Sequence, residues 1–175
     1  MRIRPARATH KAVIVFAAIF LAGCGFRPLY ATNGAAMPPG VSLGKIYVEP
    51  IPERVGYQLR NDLLDLFNTT GQAEGTDYRL KLFLREQNDP VALRADATIT
   101  RYNYILRAHY DLFHVGATQP VKSGDVNAIS AYNVATSPYA TVIAERDAND
   151  RAATDIARRI RTELAVYFRG VTSTQ

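Results

Sequence analysis

A chain of 175 residues, 47% hydrophobic and 21% charged, is long enough for one domain with its own core, and its single cysteine excludes an internal disulfide. The formal charge is +5, from 21 basic and 16 acidic residues, but Arg2, Arg4, Arg7 and Lys11 supply four of the basic ones, and without them the balance is 17 to 16. That near-neutrality excludes the overall basic footprint of a nucleic-acid-binding protein, so any cationic function must come from local clustering.

The four N-terminal cations precede Ala12–Leu21, which reads AVIVFAAIFL and carries no charge. Small residues follow, and then the only cysteine, in the run Leu21-Ala22-Gly23-Cys24. A basic head, a short apolar run and small residues at a cut describe a secretory signal peptide over residues 1–23. The apolar run is about half of the ~20 residues that span a bilayer, which argues against an uncleaved membrane anchor. A cysteine placed directly behind Leu-Ala-Gly resembles the lipobox of bacterial lipoproteins. The resemblance implies acylation of Cys24 and attachment of the mature chain to a membrane, with residues 24–43 as the lipidated tether. Three acyl chains anchor firmly where one binds only marginally.

From Lys45 to Val48 the pattern alternates, predicting a short strand closed by Pro50 and Pro52. Glu53–Thr69 changes to a helical period, with Val55, Leu59, Leu63, Leu66 and Phe67 on one side and Gly71 as the expected C-terminal cap. Asp77–Glu86 alternates cleanly: Tyr78, Leu80, Leu82 and Leu84 point one way, Arg79, Lys81, Phe83 and Arg85 the other. One buried and one open face imply an antiparallel sheet. Asn88-Asp89-Pro90 reads as a turn. Val91–Val115 then reads as one long strand with a bend or bulge at Arg94–Thr98, because 25 unbroken strand residues are exceptional. Val121–Val134 is a further strand with Gly124 as a bulge site. After Ser137-Pro138 a helical stripe of Ala148, Ala152, Ile156, Ile160, Leu164, Tyr167 and Phe168 runs to Arg169, and 171–175 is a disordered tail. The expected fold is α+β: about four strands, mostly antiparallel, with two helices packed on one face, in a single domain over 44–170.

Catalytic chemistry is poorly supplied. His109 and His114 fall on opposite faces of their strand, no second cysteine can assist them, and neither a G-x-S-x-G elbow nor a phosphate-cradling glycine loop occurs. No enzyme activity, metal or cofactor is expected. The remaining feature is the open face, where alternation places Arg79, Lys81, Arg85, Arg101 and Arg107 around Phe83 and Ile105, with Lys122 joining from the last strand; Arg79, Lys81, Arg101, Arg107 and Lys122 are the candidate ligand contacts. Cations around a small apolar centre suit an amphiphile with anionic head groups, and Arg binds phosphate in a bidentate manner. The same cations also serve an exposed sheet by keeping it soluble and discouraging edge pairing.

The run Cys24-Gly25-Phe26-Arg27-Pro28-Leu29-Tyr30, followed by strand, helix, strands and long helix, resembles the LptE family, lipoproteins of the outer-membrane lipopolysaccharide assembly machine. The stretch from Ser123-Gly124 to Ala131-Tyr132-Asn133 supports it, and the similarity spans the whole chain after residue 23. The resemblance implies a non-enzymatic protein that plugs the LptD β-barrel, aids its assembly, binds lipopolysaccharide through basic residues on its sheet side, and sits on the periplasmic side of the outer membrane. The lack of Asp after Cys24 resembles the outer-membrane sorting pattern. A lipid-binding lipoprotein of another envelope transport system is the alternative reading.

Overall fold

The chain forms β1 (Ile46–Val48), α1 (Glu53–Phe67), β2 (Tyr78–Leu93), β3 (Ile99–His114), β4 (Lys122–Asn133) and α2 (Pro138–Thr172), led in by a 3-10 turn at Leu43–Lys45. The structure is a computed structural model, and it describes residues 43–172 except 94, 96 and 97. These residues belong to one unit, Met37–Gln175. The expected signal segment, Cys24, the tether as far as residue 42, and residues 173–175 lie outside the described residues.

The sheet order is β1-β2-β3-β4, with β1 parallel to β2 and the other pairs antiparallel. This is the α+β architecture that the alternation predicts. Leu80 and Leu82 of β2, Tyr104, Leu106, Ala108, Tyr110 and Leu112 of β3, and Val126, Ala128 and Tyr132 of β4 are buried on one face. Val55, Leu59, Leu63 and Phe67 of α1 meet them, as do Ala148, Ala152, Ile156, Ile160, Leu164 and Phe168 of α2. Replacing one of these buried leucines by alanine costs about 2–5 kcal/mol. Arg54 reaches Asp150 at 2.7 Å, and the Thr154 hydroxyl donates to Asp62 at 2.8 Å, tying the two helices together.

The structure corrects the expected turns. Asn88-Asp89-Pro90 is no turn: β2 runs through it to Leu93, and the chain reverses between Leu93 and Ile99, where only a bend in one strand was expected. The reason lies in the ladder. Val115 N–H bonds Asp77 C=O at 2.9 Å, so odd residues of β2 bond to β3 and even residues face outward. Pro90 is even, and its missing N–H costs no ladder bond. A register shift follows between Pro90 and Leu93. Gly124 is no bulge either; it pairs with Tyr110 in an unbroken register. A Cβ there would lie 2.6–2.7 Å from the Tyr110 ring and hydroxyl, so a close approach requires the glycine. The cap of α1 is Asn68, at φ 56° and ψ 50°, rather than Gly71; Asn is one of the few side chains that tolerate the left-handed region. Finally, α2 continues through Gly170 to Thr172, past the expected start of the tail.

Candidate functional site on the open sheet face

Side chains on the face away from the helices come from odd positions of β2, β3 and β4. At its centre Arg85 and Arg107 are direct cross-strand partners, and Asn127 lies opposite Arg107 on β4. Like charges opposite each other destabilise a sheet. Arg107 donates to Gln87 Oε1 at 3.0 Å, whereas Arg85 has no ion-pair partner among the described residues. Around the pair lies a recess of about 480 Å³, lined among others by Phe83, Arg85, Arg107, His109, Asp125 and Asn127. Lys81 extends the strip, its ammonium 4.9 Å from the Phe83 ring centre.

Below the arginines a hydrogen-bonded carboxylate network crosses β3 and β4. His109 Nδ1 lies 2.9 Å from Asp125, its Nε2 lies 3.4 Å from Asp111, and the Ser123 hydroxyl donates to Asp111 at 2.5 Å. The hydrogen bond to Asp125 raises the His109 pKa above its ordinary value; burial opposes the shift, and the charges of Asp125 and Asp111 add to it. The two carboxylates sit at opposite nitrogens of the ring, so they hold the imidazole in place and do not converge on one point.

The predicted cations do not all meet. Arg107 and Lys81 share the recess or its rim. Arg79 sits at the other end of β2, paired with Glu49 at 3.1 Å and stacked 4.9 Å over Phe113. Arg101 faces Asn133 at 3.4 Å, about 20 Å from Arg107 at ~3.3 Å per strand residue. Lys122 is a correction: its register partner is Leu112, so it lies on the helix side and not on the open face. The parity of Val126, Ala128 and Tyr132 already carried that information. The Arg85–Arg107 pairing and the His109 network are the additions; the strand faces were legible, but the pairing needs the true position of the β2–β3 reversal.

The lipopolysaccharide-assembly family model, LptE, matches residues 43–164. The chain belongs to the LptE family. Among solved structures this LptE-family chain is similar to a lipoprotein from Caulobacter crescentus CB15, with 28% identity over 74% of this chain and 94% of that one and a TM-score of 0.62. The rare lipoprotein B of Shewanella oneidensis has the same fold, at 13% identity, 73% and 96% coverage and a TM-score of 0.55. So has a minor lipoprotein of Acinetobacter baumannii, at 12% identity, 71% and 94% coverage and a TM-score of 0.52. Among curated proteins, none matches the chain. Membership makes this LptE protein a lipopolysaccharide-assembly lipoprotein of an outer-membrane-associated, non-enzymatic family.

Proposed function

We propose that the protein is anchored through acylated Cys24 to the periplasmic side of the outer membrane, partners and plugs the LptD β-barrel, and holds lipopolysaccharide on its open sheet face during insertion. The observation that carries the ligand part is the Arg85–Arg107 pair: two arginines are direct partners across β2 and β3 and line one recess, beside the exposed apolar ring of Phe83. A phosphorylated amphiphile supplies both what relieves the repulsion and what covers the ring. Lys81 adds a third cation beside Phe83, and the polar side chains of the open face suit a plug in a polar lumen.

Titration of labelled lipopolysaccharide against the folded domain tests this. Replacing Arg85 and Arg107 together by alanine weakens binding by about 150-fold or more, since each charge-assisted contact is worth roughly 1.5–3 kcal/mol. Arg79→Ala, whose guanidinium is already held by Glu49, has a much smaller effect. Equal losses for the two variants, or none, contradict a recess-centred ligand.

A further inference from the structure

β4 is the outer strand of the sheet beyond β3. Val134 N–H bonds Thr100 C=O at 2.9 Å, so even residues of β4 turn their main-chain groups toward β3 and odd residues turn theirs outward. One outward carbonyl is covered: Arg151 Nη2 donates to Ala131 C=O at 3.2 Å, with its Nε 3.2 Å from Ser130 Oγ and its guanidinium held by Asp147. Among the described residues nothing comparable covers Ser123 to Ile129. The two long outer edges also differ in their defences. β2 carries Pro90 and a register shift on its outer edge; β4 stays in register with β3 throughout, has no proline, and reads Val-Asn-Ala-Ile-Ser-Ala over 126–131, with Ile129 59% exposed. Asp125 is the one charged residue from Ser123 to Ala131, and its carboxylate is held on the open face by His109 at 2.9 Å; a long, regular edge of this kind is a template for another strand.

The charge beside this edge says what kind of strand fits. Between β4 and α2 runs a groove of about 380 Å³ whose helix wall includes Arg158, Arg159 and Thr162 and whose sheet wall is Asp125, Val126 and Asn127, the Asp125 side chain itself lying on the open face. Arg158 is 3.7 Å from Asp155, while Arg159 has no partner among the described residues. Glu163 in the same wall is turned to the Tyr110 hydroxyl at 2.5 Å, and Lys122 lies on the same helix side of β4. A second copy paired edge to edge about a two-fold axis would bring both sets of arginines together, which disfavours self-association. An acidic strand complements them.

We propose that the outer edge of β4 is a strand-addition site for an extended acidic segment of the barrel partner. The segment's main chain bonds the outward N–H and C=O groups from Ser123 to Ile129, and its alternate acidic side chains meet Arg158 and Arg159. The assignment rests on the barrel partnership proposed above.

The test compares Ile129→Pro and Ile129→Ala in the lipidated full-length protein, purified in detergent with its barrel. Ile129→Pro removes one outward N–H and no bond to β3; Ile129→Ala removes the side chain and keeps the N–H. The expected result is a folded Ile129→Pro protein, with thermal unfolding close to the parent, that recovers at least tenfold less barrel. Ile129→Ala then recovers barrel near the parent amount, Arg159→Glu recovers several-fold less, and the amides of Asp125, Asn127 and Ile129 exchange more slowly in the complex than in the free protein. Should the proline variant not fold, Arg159→Glu and the amide exchange decide. Full barrel recovery by folded Ile129→Pro, or unchanged exchange of those amides on complex formation, overturns the strand-addition site and leaves the partnership standing. No barrel with the unsubstituted protein overturns the partnership and this occupant together.

Discussion

Arg107→Glu separates a ligand-binding face from a merely soluble one, because it moves stability and affinity in opposite directions. In the free protein Arg107 faces Arg85 directly. Replacing it with Glu turns a like-charge pair into an opposite-charge pair, and cross-strand pairs of this kind are worth roughly 0.2–1 kcal/mol. The swing from repulsion to attraction is therefore about 0.5–1.5 kcal/mol, offset by the loss of the exposed 3.0 Å bond to Gln87, which contributes about 0.5 kcal/mol. The net expectation is a protein as stable as the parent or up to about 1 kcal/mol more stable, with any gain eroded by salt. Binding of lipopolysaccharide moves the other way. One charge-assisted contact worth roughly 1.5–3 kcal/mol is lost and a carboxylate now neutralises Arg85, so affinity falls by about 10- to 200-fold. Thermal or urea unfolding gives the first number and titration with labelled lipopolysaccharide the second. A variant that is stabilised or neutral and still binds with parental affinity refutes the assignment of this pair to the ligand and leaves solubility as the role of the sheet-face cations.

Three further outcomes follow from the same geometry. Gly124→Ala drives a methyl group into the fully buried Tyr110 ring, whose hydroxyl is tied to Glu163; the expected cost is about 2–4 kcal/mol, read as a fall of about 6–15 °C in melting temperature, and Tyr110→Leu in the same chain removes most of the effect of the added methyl. The raised pKa of His109 adds stability that is fully present below the unfolded histidine value of about 6.5 and is lost as pH rises through the folded one. Unfolding measured between about pH 6 and pH 8.5 therefore shows a small decline that His109→Gln abolishes, and an unchanged slope in that variant removes the network from the account. Cys24→Ala blocks acylation and yields a mislocalised precursor; membrane fractionation that still finds it with the outer membrane shows that barrel contact alone suffices for location.

The faces of the fold were legible wherever alternation was strict. Leu80 and Leu82 against Arg79 and Lys81 decided which side of β2 is buried, and the Ala148–Phe168 stripe decided the inner face of α2. Turns were harder, because Asn88-Asp89-Pro90 has turn chemistry and yet lies in a strand whose outward N–H positions tolerate proline. That one displacement hid the centre of the candidate site. Arg85 and Arg107 are visible as open-face residues from their own strands, but they become partners only when the reversal falls between Leu93 and Ile99. The His109 network needs a second register, that of β4, and the same register moves Lys122 from the open face to the helix side. The constraint on Gly124 is tertiary and has no local signature: a turn glycine and a glycine beneath a ring read alike in sequence.

The most direct test of the account is a detergent pull-down of the tagged, lipidated protein at high salt, with identification of what accompanies it. The account predicts a large β-barrel in 1:1 ratio that high salt does not remove. An inner-membrane transporter in its place, or no barrel at all, contradicts it.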